Sequence, residues 1–249
     1  MGTMTTIKEK ENVKSKPVNV VIFTLAHFTH DFYAGMLAPL LPSLIEKLSL
    51  LNAQAGLLTV FLQWPSLLQP VIGKVADKKD LKFWIIIGPA VTGFFMSLIG
   101  VAPSYFVLIL FLLMAGISSA GFHAIGPALL GRRSGEHIGK NLGFWMVAGE
   151  LGFMVGPITA VSLVSLYSLN RTPWLMFAGL GMTVIFHLYF KGFDSQIPPA
   201  QTKAQNKENL KELFLVFIPL TGMIIARAFL RASSETFLPV FLTERGASL

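Results

Sequence analysis

The chain has 249 residues, of which 53% are hydrophobic and 13% charged, with a formal net charge of +7, no cysteine and a mean hydropathy of +0.63. Soluble domains carry about 25% charge, so this composition excludes that class; apolar windows of roughly 20 residues recur from end to end, as for helices crossing a hydrocarbon core about 30 Å thick. Without cysteine there is neither a disulfide framework nor a thiolate metal site, and the positive balance concerns membrane topology more than nucleic acid.

Residues 1–17, MGTMTTIKEKENVKSKP, are polar and mixed in charge; lacking an apolar core, they are not a cleavable signal peptide and read as a cytoplasmic tail. Helices are predicted at about 18–42, 53–75, 83–102, 104–130, 140–166, 173–191 and 212–241. In lipid every backbone amide and carbonyl must be satisfied within its own segment, and these runs lack the alternation of a barrel strand, so seven α-helical crossings are expected. Pro65, Pro70, Pro89, Pro157 and Pro219 are positioned to kink them. Trp64, Trp84, Trp145 and Trp174 read first as interfacial anchors or packing, with Trp64, beside Gln63 and Pro65, also a candidate for lining a cavity.

The connections alternate in charge. Tail, second, fourth and sixth connections hold about fifteen basic residues, among them Lys8, Lys74, Lys82, Arg132, Lys140 and Lys203, against about three on the other side. The positive-inside rule makes the rich side cytoplasmic and places the amino terminus inside. Residues 192–211, with paired prolines and no apolar periodicity, form a cytoplasmic linker. Six helices over 18–191, a long linker and a new start over 212–249 make the layout of a transporter built from two six-helix halves. The fold expected is an all-α integral membrane protein: a six-helix bundle plus a seventh transmembrane helix, with the rest of a second half missing. A slight internal echo pairs Leu41-Pro42 with Leu238-Pro239 and aligns His30 with Arg227.

Ionisable residues inside spans cost at least about 2.5–3.5 kcal/mol and are rarely kept without a role. In the first helix His27, His30 and Asp31 share one face, expected to point at a central cavity. Burial disfavours the charged form of each, opposite charge favours it, and such a cluster can exchange a proton near neutrality. Asp31 is the leading proton-coupling candidate, with His30, His27 and Glu150 behind it; a polar interhelical clamp is the alternative for each histidine taken alone. His123 in the fourth helix and Arg227 and Arg231 in the seventh are substrate-cavity candidates. Arg227, Arg231 and Glu235 step by four, and the last two can pair locally.

The stretch 69–83, QPVIGKVADKKDLKF, reads as a basic hinge between apolar segments, and it carries a resemblance. Gly73, Asp77, Lys78 and Lys82 follow the G-x-x-x-D-[RK]-x-G-x-[RK] pattern of the major facilitator superfamily, with Asp80 where the pattern has its second glycine. Gly152, Gly156 and Pro157 resemble that family's antiporter motif in the fifth helix, although small-xxx-small pairs usually serve packing. Within the superfamily, 31–44, 65–78 and 119–157 look like the fosmidomycin resistance protein group, over about residues 20–165.

The resemblance implies alternating access. It makes Gly73, Asp77 and Lys78 a cytoplasmic gate latch: Gly73 ends the second helix without a side chain and allows close approach, while Asp77 accepts from a helix N-terminus. The bland reading of Asp77 is a solvated acid among lysines. It also implies an anionic solute such as a phosphonate as substrate. The arginine many proton antiporters carry in the fourth helix is absent, and His123 is the possible substitute.

These readings favour a secondary active transporter, proton-coupled and exporting a small drug-like or anionic solute, in a bacterial-type cytoplasmic membrane. Its partners are the small-molecule substrate, the proton and the lipid bilayer. No nucleic acid or obligate protein partner, no metal and no cofactor beyond a proton gradient is expected. A fragment without transport activity of its own is one alternative. A membrane enzyme is another, disfavoured because H-E-x-x-H and G-x-x-x-x-G-K-[ST] are both missing.

Overall fold

The computed structural model describes residues 19–76, 79–191 and 210–246. The tail, the linker up to residue 209 and the latch residues Asp77 and Lys78 lie outside them. The described residues form helices and no strand.

Helix α1, Val20–Ala34, is capped by the Asn19 side chain, which accepts from the amides of Val21 and Ile22 at 3.1 and 3.4 Å. The first predicted crossing is not one rod. It breaks at Gly35 and Met36 and resumes as α2, Leu37–Leu48. Pro39 explains the break: it offers no amide to the Gly35 carbonyl and its ring clashes with that turn. The second crossing runs as α3, Asn52–Gln63, a 3-10 segment, Trp64–Leu68, and α4, Gln69–Ala76, with Pro65 and Pro70 at the two junctions. Then follow α5, Lys82–Leu98; α6, Tyr105–Arg133, capped by Ser104; and α7, Ile138–Leu166. A 3-10 segment, Leu169–Leu175, leads into α8, Met176–Phe190, and α9 spans Leu210–Glu244.

Five stretches among the described residues are long and apolar enough to cross a membrane: Asn52–Ala76, Lys82–Val101, Tyr105–Arg133, Gly135–Leu166 and Leu169–Phe190. The break in the first crossing leaves α1 and α2 each too short to join them, at 15 and 12 residues.

Helices α1 and α7 form the most extensive pair, and glycines set their closeness. A Cβ at Gly152 would overlap the carbonyl of Phe28, and one at Gly156 that of Phe32, so the motif glycines bring backbone against backbone. Helix α5 packs on α6 and α8, and α3 and α4 lean on α6. The Tyr33 hydroxyl enters the first turn of α8: it donates to the Leu175 carbonyl at 2.6 Å and accepts from the Gly179 amide at 2.8 Å, standing between an i and i+4 pair that would otherwise bond each other.

Two apolar clusters fill the bundle. One joins Tyr33, Met36, Leu40, Leu58, Met96 and Leu112; the other joins Phe23, Ile85, Phe122, Trp145 and Phe186. Along α1, α5 and α6 the switch between clusters falls at His27 to Asp31, at Thr92 and at Ser118. A polar layer therefore separates them, and on α6 it sits near the middle of a 29-residue helix.

Helix α9 meets the bundle through α2 and α3 at its carboxyl end. Val240 is buried, Phe237 lies over Gly56, Thr236 donates to Thr59 at 3.3 Å, and Asn52 donates to Glu244 at 3.1 Å. Towards its other end Phe217, Met223, Ile225 and Phe229 are exposed.

Candidate functional site

The polar layer is built around one carboxylate. Asp31 Oδ2 lies 3.0 Å from His27 Nε2, and Oδ1 lies 2.9 Å from His30 Nδ1 and 3.2 Å from His123 Nε2. Helix α1 supplies three of these side chains by its own period, and α6 brings the fourth. His27 and His30 are buried, whereas the Asp31 and His123 side chains are 16% and 29% exposed, so the cluster is reached from the His123 side.

Two chains of hydrogen bonds fix which nitrogens face the carboxylate. His27 Nδ1 lies 2.7 Å from the Trp145 carbonyl, which only accepts; the proton is therefore on Nδ1 and the Nε2 lone pair points at Asp31. Consistently, Nε2 stands 3.0 Å from Oδ2 without hydrogen-bonding geometry and has no other partner. On the other branch Ser118 donates to the Gly88 carbonyl at 3.2 Å and accepts from Thr92 at 3.0 Å. Thr92, its proton committed, accepts from His30 Nε2 at 3.2 Å, and His30 Nδ1 makes a hydrogen bond of 2.9 Å with Asp31 Oδ1, which only accepts. An imine nitrogen of His27 against the carboxylate repels unless a cation stands between them. A proton is the smallest that fits.

Aromatic rings hold the imidazoles in place. His27 stacks on Trp145 with centroids 4.1 Å apart, and His30 on Phe122 at 4.3 Å and 1° between planes. Gly149 makes the room: a Cβ there would lie 2.7 Å from both Asp31 Oδ2 and His27 Nε2.

Glu150 does not join this cluster. It is half exposed and faces α9, with Oε1 3.4 Å from Arg231 Nη1 and 3.8 Å from Arg227 Nη2. Arg231 also donates through Nε to Glu235 at 2.7 Å and lies 4.5 Å above the Phe153 ring. The predicted Arg231–Glu235 pair thus forms. Arg227 is 75% exposed. Two arginines thus stand against two carboxylates, Glu235 and Glu150.

Packing places four further groups of candidates. The histidines of α1 point into the bundle against α5, α6 and α7 rather than into an open cavity, because Phe122, Thr92 and Trp145 close over them. His123 Nε2 faces the Asp31 carboxylate at 3.2 Å. Gly73 does not end its helix, which continues to Ala76, and nothing lies within 4 Å of a Cβ built on it; it borders a cavity of about 130 Å³ with Leu81, Ala124 and Ala128. Trp64 is exposed at 64% and is not among the residues touching the cluster. Asp80, the departure from the pattern, accepts from the Lys82 amide at 3.0 Å and pairs with its ammonium at 3.2 Å, opening α5.

Sequence reasoning missed Trp145, Thr92, Ser118 and Phe122. Trp145 acts through its carbonyl and ring face, which no motif reports. Thr92 and Ser118, hydroxyls inside long apolar runs, were the available signal.

The chain was compared with known proteins. The profile of the Major Facilitator Superfamily matches residues 23–249. The fosmidomycin resistance protein of Escherichia coli (strain K12) is 25% identical over 227 residues, covering 89% of this chain and 56% of that protein. The uncharacterized MFS-type transporter YfnC of Bacillus subtilis (strain 168) is 26% identical over 227 residues, covering 87% of this chain and 54% of that protein. The chain thus spans about half the length of the curated relatives it matches.

Proposed function

Because the chain belongs to the Major Facilitator Superfamily and is a multi-pass integral membrane protein, we propose that it serves proton-coupled export of a small drug-like or anionic solute by alternating access. The observation carrying the coupling is the Asp31 carboxylate, held at mid-depth in the bundle with imidazole nitrogens of His27, His30 and His123 around it. A carboxylate so enclosed is a reason to expect a proton relay. Its exposure on one flank only gives the proton a route that the rocking of two halves can switch between the membrane faces.

An anionic solute finds Arg227 and Arg231 on α9, with Glu150 and Glu235 as the counter-charges it would displace. A relative named for fosmidomycin resistance supports the drug-like class. Asp77 with Lys78 is proposed as the cytoplasmic latch, on the face carrying Lys79, Lys82, Arg132 and Lys140. That face is taken as cytoplasmic, with the amino terminus inside, in a bacterial-type cytoplasmic membrane.

The test is uptake of radiolabelled fosmidomycin into inverted vesicles energised with a pH gradient, on this chain and on any longer product of its reading frame. Asp31→Asn should abolish the gradient-dependent component while leaving expression and downhill exchange intact. Gradient-driven transport equal to the unmodified protein would remove Asp31 from the mechanism.

A further inference from the structure

His27 and His30 alone make only one weak metal-ligand pair in sequence, and the arrival of His123 from α6 changes the chemistry. We propose that His27 Nε2, the Asp31 carboxylate and His123 Nε2 form a binding site for a borderline divalent transition-metal cation, zinc being its representative, with a fourth position open on the His123 side.

Four observations converge. First, the donor atoms of these three residues lie within 4.8 Å of one another. A tetrahedral ion with bonds of about 2.0–2.1 Å has donor edges of about 3.3 Å; His27 Nε2 lies 3.0 Å from Oδ2 and His123 Nε2 3.2 Å from Oδ1, so the carboxylate presents one oxygen to each imidazole. His123 is the most exposed of the set, at 29%. Second, the buried Nε2 of His27 has no hydrogen-bond partner and is aimed into the cluster. Its ring is fixed by donation from Nδ1 to a backbone carbonyl, which is the arrangement that orients metal-bound histidines and raises their basicity.

Third, Gly149 leaves open the space beside His27 Nε2 and Asp31 Oδ2 that any other residue would fill. Fourth, exposure of Asp31 and His123, against burial of the other histidines, provides both access and the vacant position for water or a solute's anionic group. Two imidazoles and one carboxylate favour the zinc, cobalt and nickel class. They disfavour calcium and magnesium, which want oxygen ligands throughout, and no thiolate is present to select copper(I).

This inference goes beyond the transport reading and is measured without transport. The full chain is purified in detergent with a tag other than polyhistidine, stripped with a chelator, and titrated with zinc in competition with a fluorescent indicator. One equivalent is expected, weakened at least tenfold in His123→Gln and in Asp31→Asn, with His187→Gln unchanged. Cobalt(II) supplies the second readout on the unmodified protein, where tetrahedral coordination gives intense visible bands that zinc bleaches, so the proposal stands or falls even if a variant does not fold. Zinc retention unaltered by His123→Gln, or cobalt spectra of the hydrated octahedral ion alone, overturns it. Loss of proton coupling in Asp31→Asn with no zinc bound would sink the metal site and leave the transport reading standing.

Discussion

Replacing Gly149 with alanine tests whether the α7 backbone is shaped around the Asp31 cluster. The added methyl would overlap His27 Cε1 and lie 2.7 Å from Asp31 Oδ2 and His27 Nε2, where an ordinary contact begins at 3.4 Å, so the carboxylate must retreat by about 0.7 Å and the imidazole by more. His27 cannot do so freely, since Trp145 backs its ring at 4.1 Å and the Trp145 carbonyl holds Nδ1 at 2.7 Å. Overpacking of this kind costs about 1–3 kcal/mol and a weakened hydrogen bond about 1 kcal/mol, against about 1 kcal/mol gained by replacing glycine in a helix. The net destabilisation is about 1–3 kcal/mol. Gly143→Ala, on the same helix with nothing within 4 Å of the new methyl, has only the gain. Thermal unfolding in detergent, followed by tryptophan fluorescence, should therefore lower Tm for Gly149→Ala and raise it for Gly143→Ala, at about 2–4 °C per kcal/mol for a chain of this size. The reasoning is refuted if Gly149→Ala melts at or above Gly143→Ala.

Tyr33→Phe removes the hydroxyl that stands between Leu175 and Gly179, and should cost about 1–2 kcal/mol, read as a lower Tm with helical content unchanged by circular dichroism. Thr92→Val cuts the branch that orients His30 and should destabilise by about 0.6–1.7 kcal/mol, the range of interhelical hydrogen bonds in membranes; Thr92→Ser should restore stability, and failure of that rescue would count against the hydroxyl chain. Asp77→Asn, if the latch reading holds, slows transport without moving Tm, and wild-type turnover would dismiss it.

Much of the architecture was legible because lipid imposes it. Apolar runs long enough to span, prolines at their breaks and basic clusters at alternate ends placed the helices to within a few residues, and α6 and α7 differ from expectation by three residues or fewer at either end. The interruption at Gly35 was not drawn, though Pro39 announced it. At the site, periodicity put His27, His30 and Asp31 together. It could not tell which way that face turned, because a helix with polar atoms on one side satisfies either a cavity or a neighbouring helix. Which neighbours His123 and Glu150 face was beyond the periodicity of α6 and α7 for the same reason, because only packing decides it. Gly152 and Gly156 were legible as packing residues. What they press against, the carbonyls of Phe28 and Phe32, needed the fold.

The backbone-to-backbone seam between α1 and α7 has a mechanical meaning. Helices that touch through carbonyls and glycines have no side chains to reshuffle, so they move as one strut and leave sliding to softer contacts elsewhere. Asp31 and His27 ride on one member of that strut and the Trp145 carbonyl on the other, so in the proposed alternating-access cycle the geometry around Asp31 would travel unchanged. Under that proposal, what would alter between states is the path to the flank of Asp31 and His123, and with it the side of the membrane with which a cation there equilibrates.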